Sequence, residues 1–297
     1  MSRIVRIFQV DAFTDAKFSG NPAGVVLDAE QLTDAEMQAI ARELNNGDTA
    51  FVLPSTGADH DLRVRFFTPR KEAPFVGHAT LAAHAVLARI SPQTLRRQQG
   101  RTGIVEVRAL PDDGGFSIRQ PAPLIGRTLA ADELDQVLSL LGIVHGQLDR
   151  ACPARIAGSA STRLLLGVRD GDALDAMQPQ LTALGALSPQ LGAQGYFAFT
   201  RNSRVENCLT EARMFCPALG IDEDPVSGNA HAMLGVYLVE HALLTVQGQV
   251  AEFTGAQGTH VGRPGRVAVS VEVAGAKPVA ASIAGQAVIV FESEIRL

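Results

Sequence analysis

The sequence is poor in cysteine, and this scarcity excludes two kinds of small stabilised scaffold. Its 297 residues include three cysteines, Cys152, Cys208 and Cys216, an odd number without Cys-x-x-Cys spacing. Such a set favours neither a disulfide framework nor a zinc knuckle. We therefore expect this protein to work in a reducing, cytoplasmic environment.

The sequence also lacks an excess of basic charge and any long apolar run. Its formal net charge is −5, which weighs against binding to nucleic acid or to an anionic membrane. No uninterrupted apolar stretch reaches the length of a membrane span, and the N-terminus has no signal-peptide pattern. We expect a soluble, unexported protein with neither nucleic acid nor membrane as a partner.

Several common catalytic motifs are missing as well. There is no Gly-x-x-x-x-Gly-Lys-Ser/Thr phosphate loop, no Gly-x-Ser-x-Gly elbow, no His-Glu-x-x-His and no dinucleotide fingerprint after a strand. The sequence therefore gives no reason to expect a cofactor or a metal ion.

What the sequence does contain is a repeated pattern in which a glycine opens an apolar helical run. In the first half Phe67-Thr68-Pro69 precedes Val76-Gly77-His78-Ala79, and in the second half Phe215-Cys216-Pro217 precedes Ser227-Gly228-Asn229-Ala230. This recurrence predicts a duplicated half-domain. Because a helix N-terminus presents unpaired N–H groups and the positive end of the helix dipole, two such helices facing one cleft would bind a carboxylate.

Hydrophobic periodicity predicts the same plan in both halves, namely strands interrupted by helices. The predicted strands are 4–10, 25–27, 50–53, 62–67, 104–110 and 116–119, then 164–168, 195–200, 204–215 and 267–273. Amphipathic helices are predicted after the capping box Thr33–Glu36 and over 132–141. The glycine-led helices, 78–89 and 229–241, are apolar on nearly every face and should be buried.

These elements predict an α+β fold with two pseudo-symmetric domains, each a mostly antiparallel β-barrel around a central helix. The length of the chain suits two such domains. The Pro-rich stretch 120–123 marks their junction, so we assign residues 1–121 to the first domain and 122–281 to the second. The C-terminal strand, 282–297, could return to the first domain.

Two helix-proximal side chains are candidates for proton transfer. Asp224 comes directly before Pro225, which biases it away from helical dihedrals, so it should project at the mouth of the cleft. His78 stands at the start of the other glycine-led helix. Opposed unlike groups suit acid–base chemistry. The alternative interpretations are a carboxylate that complements a helix dipole and a histidine that only caps a helix.

Other polar residues lead to weaker expectations. Asp48 is predicted on a loop between a helix and a strand, where side chains commonly reach a ligand, although it could be a plain turn aspartate. The segment Phe18-Ser19-Gly20-Asn21-Pro22 is predicted to be a turn. His84 and His231 lie inside the buried helical runs and are interpreted as core or rim residues.

Four motifs in order resemble the phenazine-biosynthesis PhzF family. They are Phe18–Pro22, Arg65–Pro69, Pro74–Thr80 and Glu223–Gly228, and the similarity extends to 262–266 and 284–288, over essentially the whole chain. The resemblance implies the diaminopimelate-epimerase-like fold, with the active site between the two halves. It also implies a cofactor-free isomerase, usually a homodimer, that moves a hydrogen within a molecule such as dihydro-3-hydroxyanthranilate.

The resemblance also implies roles for individual residues. The family's histidine falls on His78, its aspartate on Asp224, and its acid–base glutamate on Asp48. The shorter Asp48 side chain would place the base about 1.5 Å back, which can cost on the order of 100-fold in rate. Burial should raise the pKa of this carboxyl toward neutrality. Asn229 replaces a family serine, and Gly77, Gly228, Asn229, Ser227 and Asn21 complete the predicted substrate-binding set.

Epimerases of this fold carry a cysteine just before the glycine of each glycine-led helix. Here Val76 and Ser227 occupy those positions, so exchange of protons between two thiols is excluded. The sequence therefore favours an isomerase of a small cyclic or unsaturated carboxylic acid with Asp48 as its single acid–base group. A non-catalytic module that binds a small acid or a protein is the alternative, and an amino-acid epimerase is a third interpretation.

Overall fold

The computed structural model describes residues 3–111, 114–158, 161–275 and 277–297, which form two compact units. The first unit comprises the chain up to residue 120 together with 284–297, and the second comprises 121–283. The strands are β1 (Ile4–Ala12), β2 (Asn21–Val26), β3 (Asp48–Pro54), β4 (Leu62–Phe67), β5 (Glu72–Ala73), β6 (Leu95–Gly100), β7 (Gly103–Leu110), β8 (Gly115–Pro121), β9 (Ile125–Thr128), β10 (Arg155–Ala157), β11 (Arg163–Gly167), β12 (Tyr196–Thr200), β13 (Thr210–Phe215), β14 (Val250–Gln257), β15 (Gly265–Ala274), β16 (Lys277–Gly285) and β17 (Ala287–Arg296). The α-helices are α1 (Asp34–Leu44), α2 (Gly77–Ile90), α3 (Ala131–Leu141), α4 (Gly171–Asp175), α5 (Leu181–Leu191) and α6 (Gly228–Glu240).

A mostly antiparallel sheet surrounds one helix in the first unit. The C-terminal strand β17 pairs antiparallel with β1, which pairs antiparallel with β2. The sheet continues through a parallel β2–β3 pair, an antiparallel β3–β4 pair, a parallel β4–β6 pair and the antiparallel strands β7 and β8. Helix α2 packs against β1, β2, β3 and β17 and is therefore the central helix of this unit.

The second unit repeats this order of pairings. Its strands β9, β10 and β11 are antiparallel, β11 and β12 are parallel, β12 and β13 are antiparallel, β13 and β14 are parallel, and β14 and β15 are antiparallel. Helix α6 packs against β9, β14 and β15. The position of β9 beside β10 corresponds to that of β17 beside β1. The predicted pseudo-symmetric α+β fold is therefore confirmed.

Each unit has apolar side chains on both faces of its sheet, because successive residues of a strand point to opposite sides. In β2, Ala23 and Val25 pack with α2, whereas Val26 packs with α1. In β12, Tyr196 and Ala198 pack in the cluster that contains α3 and α5. The inner face of each sheet thus covers the central helix, and the outer face is covered by the shorter amphipathic helices.

The predicted capping box is present at the N-terminus of α1. Thr33 Oγ1 accepts a hydrogen bond from Glu36 N at 3.3 Å, and the Glu36 carboxylate accepts one from Thr33 N at 2.8 Å. The helix ends at Leu44, and its C-cap residue, Asn45, has a left-handed backbone conformation. These contacts set where the chain enters the segment that leads to Asp48.

We predict that Thr33→Ala lowers the free energy of unfolding by about 1 kcal/mol, because it leaves an N-terminal N–H group of α1 without its acceptor. Urea denaturation followed by circular dichroism measures this change. Thr33→Ser is the matched control, since it keeps the hydroxyl, and its free energy of unfolding should stay close to that of the native chain. Equal stability of the alanine and serine variants would contradict the prediction.

Three local predictions are wrong. Asp48 is the first residue of β3 instead of a loop residue, and Asn21 and Pro22 begin β2 instead of completing a turn. The strand predicted over 204–215 begins only at Thr210, because Asn207 has a positive φ and the Arg204 side chain forms ion pairs with Asp175 and Glu211. Tertiary contacts override the local pattern in each case.

Some elements have no counterpart in the prediction. Strand β6 is rich in polar residues, yet Arg96 and Gln98 alternate into the interior. No helix in the described parts of the chain is long and apolar enough to cross a membrane.

Candidate functional site

Asp48 is held in a defined position at the start of β3. Its parallel partner in β2 is Ala23, and the residue is 8% exposed. The preceding loop is fixed by two reciprocal hydrogen bonds between amide side chains, from Gln9 Nε2 to Asn46 Oδ1 at 3.1 Å and from Asn46 Nδ2 to Gln9 Oε1 at 2.8 Å. A carboxyl group at the start of a strand, after a loop fixed by hydrogen bonds, is held in one position, as a catalytic group requires.

His78 is the side chain that the structure brings to Asp48. It is the second residue of α2, and its Nε2 lies 3.8 Å from Asp48 Oδ2. Burial lowers the pKa of His78 to about 4, so the ring is neutral at pH 7 and this contact is not an ion pair. Among the described residues, His78 Nε2 has no hydrogen-bond partner. A neutral imidazole with an open nitrogen can donate to a ligand or accept from one.

The N-terminus of α2 lies at the same place and presents backbone N–H groups. Its N-cap residue is Val76, whose aliphatic side chain cannot accept a hydrogen bond. The backbone N–H of Thr80 donates to Val76 O at 3.0 Å, so the N–H groups of Gly77 and His78 come before the first hydrogen bond of the helix. These donors and the helix dipole favour an anion.

Asn21 begins β2, opposite Ala12 at the end of β1, and is buried. The loop before it is held by Asp11, whose Oδ2 accepts a hydrogen bond from Phe18 N at 2.7 Å. Gly20 has φ +60°, and a Cβ atom there would lie 2.2 Å from Ala12 O. Only glycine fits this turn.

In the second unit, one side chain that the sequence analysis missed holds Asp224 and Ser227. Gln257 Oε1 accepts a hydrogen bond from Ser227 N at 3.0 Å, and Gln257 Nε2 donates to Asp224 O at 2.6 Å. The backbone N–H of Asp224 donates to Met214 O at 2.8 Å. A single glutamine in a strand has no distinctive sequence pattern, so only the fold identifies this clamp.

The neighbouring acidic residue, Glu223, has a structural contact of its own. Arg213 Nε and Nη2 donate to its two carboxylate oxygens at 3.0 and 2.7 Å, and both side chains are nearly buried. Arg213 Nη1 also donates to Leu174 O at 2.9 Å. Of the acidic segment before α6, Glu223 is therefore part of an ion pair that anchors the loop.

Ser227, Gly228 and Asn229 form the start of α6. Ser227 is the N-cap, and its Oγ accepts a hydrogen bond from Ala230 N at 3.3 Å. Asn229 is half-buried and occupies the second helical position, as His78 does in α2. The two helix starts therefore differ, because α6 has a side-chain cap and α2 has none.

Two further buried histidines, His84 and His231, are held by hydrogen bonds within their own units. His84 Nε2 lies 3.0 Å from Gln98 Oε1, and His231 Nδ1 lies 2.8 Å from Ser227 O. Burial lowers the pKa of both rings to about 4. Their positions in the interior agree with their interpretation as core residues.

We predict that this protein loses stability as the pH falls from 6.5 toward 4. His78, His84 and His231 bind protons near pH 6.5 in the unfolded state and only near pH 4 in the folded state. Lowering the pH between these values therefore decreases the free energy of unfolding. Each histidine contributes a slope of up to about 1.4 kcal/mol per pH unit. Urea denaturation from pH 4.5 to 8 measures the slope, and His84→Gln should reduce it. A flat profile would contradict the prediction.

The cysteines of this chain do not stand at the positions of the two catalytic thiols that epimerases of this fold carry. Cys216 directly follows β13, and burial raises the pKa of its thiol to about 12. The positions before the two glycines are the N-caps Val76 and Ser227. Among the described residues, no group of three or more His, Cys, Asp or Glu side chains is arranged to hold a metal ion.

Comparison with known proteins gives the family. Residues 10–293 match the sequence profile of the PhzC-PhzF family, described as phenazine biosynthesis-like protein. The chain is 38% identical to an uncharacterized isomerase of Clostridium acetobutylicum over the full length of both chains. The chain belongs to the PhzF family. Like the named relatives in this family, it is an isomerase.

Two further PhzF relatives bear on the activity and the fold. The trans-2,3-dihydro-3-hydroxyanthranilate isomerase of Pseudomonas aeruginosa is 30% identical over 94% of this chain and 95% of that protein. A crystal structure of a PhzF family protein from Bacillus anthracis superposes with a TM-score of 0.89, at 27% identity, over 99% of both chains. The diaminopimelate-epimerase-like fold implied by the resemblance is confirmed. The roles of the individual residues stay predictions.

Proposed function

We propose that this PhzF family isomerase moves a proton between two carbons of a small cyclic or unsaturated carboxylic acid, with Asp48 as its acid–base group. The contact that carries the proposal is the 3.8 Å approach of the buried Asp48 carboxyl to the neutral His78 ring at the start of α2. The dihydro-3-hydroxyanthranilate isomerases among the relatives act on a cyclic acid of this class.

The proposed reaction needs no electron donor or acceptor. The Asp48 carboxylate takes a proton from a substrate carbon, and the C–H electron pair moves into the conjugated double bond and the substrate carboxylate. The protonated Asp48 then returns the proton to a second carbon of the conjugated system, which leaves the double bond in a new position. Enzyme and substrate have the same composition before and after.

The surroundings of Asp48 support this role. Because His78 is neutral, it does not compensate the charge of the carboxylate, and its open Nε2 can hydrogen-bond a polar group of the substrate. The N–H groups at the start of α2, including that of Gly77, would stabilise negative charge as it develops on the substrate carboxylate. Asp224 is proposed as a further catalytic residue that positions the substrate. The proposed substrate-binding residues are Asn21, Ser227, Gly228 and Asn229.

Hydrogen–deuterium exchange tests the proposal. The protein is incubated in D₂O with dihydro-3-hydroxyanthranilate and with simpler cyclohexadiene carboxylates, and proton NMR follows each ring position. We expect deuterium at a ring carbon of at least one acid, together with a shifted double bond. The control is Asp61→Asn, which changes an aspartate of the first unit that accepts a hydrogen bond from Arg97 N.

Two outcomes would argue against the proposal. Binding of an acid without exchange or rearrangement would favour the non-catalytic module, an alternative suggested by aspartate in place of the family's glutamate. Inversion at a stereocentre with no movement of the double bond would favour an epimerase.

A further inference from the structure

Arg163 occupies in the second unit the position that Asn21 occupies in the first. Asn21 is the first residue of β2 and lies opposite Ala12, the last residue of β1. Arg163 is the first residue of β11 and lies opposite Ala157, the last residue of β10. The internal repeat therefore places a guanidinium where the first unit has a predicted substrate-binding amide.

The Arg163 side chain points to the inner face of its sheet. Leu164 and Leu166 pack in the outer cluster with α3 and α5, so Arg163 alternates to the other side, toward α6. A Cβ atom added to Gly195 would lie 3.0 Å from Arg163 Cδ and 2.6 Å from Cys216 Sγ. The missing side chain of Gly195 thus leaves room for the arginine at the start of β12.

The first two turns of α6 lie beside this position. The His231 ring packs edge-on against Phe197, whose parallel partner in β11 is Leu165, two residues after Arg163. Met233 Cε would lie 2.6 Å from a Cβ atom on Gly158, which directly follows the strand partner of Arg163. Arg163 therefore lies at the end of the inner face where α6 begins, and the dipole of that helix adds to its positive field.

The Arg163 side chain is buried and makes few polar contacts with the described residues. The residue is 7% exposed, and its Nη1 donates to Thr162 O at 2.8 Å. Among the described residues, Nε has no hydrogen-bond partner and no carboxylate forms an ion pair with Arg163. A guanidinium stays protonated at every physiological pH, and a buried charge is costly unless an anion pairs with it.

We propose that Arg163 binds a carboxylate at the start of α6 and thereby gives the second unit a preference for acids over their neutral analogues. This inference goes beyond the proposed function, because it assigns an anion-binding residue to the second unit. The planar guanidinium can donate two parallel hydrogen bonds to a carboxylate, and lysine cannot reproduce this geometry. Arg163 is a binding residue in this proposal and takes no part in proton transfer.

The test compares anthranilate with its neutral amide, 2-aminobenzamide, by isothermal titration calorimetry, since the two probes share one ring and have nearly the same size. We expect the native chain to bind anthranilate about 10- to 100-fold more tightly than the amide. Arg163→Met should abolish this preference while the weak affinity for the amide is kept, and Arg163→Lys should retain part of it. Arg96→Met is the matched control, since Arg96 is a buried arginine of the first unit bonded to Gln93 Oε1.

An unchanged preference in Arg163→Met would overturn the proposal, and so would a native chain that binds neither probe or both equally. Arg163→Lys keeps the test valid if the methionine variant does not fold. Asp48→Asn separates this inference from the proposed function, because it should remove exchange in D₂O and leave the carboxylate preference intact. Preference for the acid without any exchange would refute the isomerisation and retain Arg163 as an anion-binding residue.

Discussion

Asp48→Asn should lower kcat for isomerisation by about 10²- to 10⁴-fold, the range expected when a general acid–base group is removed. The amide has nearly the same size and can still hydrogen-bond, but it cannot take a proton from carbon. Because Asp48 is buried within 3.8 Å of His78, no solvent-exposed group can readily replace it. Steady-state kinetics on an acid identified by the D₂O experiment measures the loss, with KM expected to change much less than kcat.

Asp48→Glu is the informative companion to this variant. It keeps the carboxyl and lengthens the side chain to that of the family's glutamate, so activity should remain, although displacement of the base can cost up to about 100-fold. Asp61→Asn should leave the kinetics unchanged. If Asp48→Asn turned over the substrate at the native rate, Asp48 would not be the acid–base group.

Arg213→Leu should lower the free energy of unfolding of the second unit by about 3–5 kcal/mol, since it leaves the Glu223 carboxylate nearly buried without its cation. The change also removes the hydrogen bond from Arg213 Nη1 to Leu174 O and the stacking of the guanidinium over the Phe215 ring, whose centroid lies 4.9 Å from Arg213 Cζ. Guanidinium chloride denaturation followed by circular dichroism measures the loss.

The double variant Arg213→Leu/Glu223→Leu is the control for this interpretation. It removes both charges, so it should recover most of the stability that the single variant loses. Coupling of at least 1 kcal/mol between the two positions is expected in a double-mutant cycle. Additive losses, or a single-variant loss below about 1 kcal/mol, would show that the ion pair does not anchor the loop before α6.

The sequence predicted the central helices best, because their signal is local. Glycine at the first position and apolar residues on every face identify α2 and α6 to within one residue at each end. Pseudo-symmetry followed from the recurrence of this pattern. Polar strands could not be found in this way, since in β6 the buried residues are Arg96 and Gln98, whose burial depends on partners distant in the chain.

Residue types at the candidate site were visible in the sequence, but their relations were not. The motifs singled out Asp48 and His78, yet their 3.8 Å contact depends on how β3 and α2 pack in one unit. The clamp by Gln257 and the burial of Arg163 gave no sequence signal at all.

Family, fold class and the exclusion of a thiol pair are thus properties of the linear chain, because each depends on which residues follow one another. The protonation states and the hydrogen-bond partners of the site residues are decided only by the tertiary structure. The neutral ring of His78 results from its removal from water, and the roles of Gln257 and Arg163 result from strands that bring residues far apart in sequence to the start of one helix. Burial and long-range pairing depend on how the whole chain packs, and no local sequence pattern encodes them.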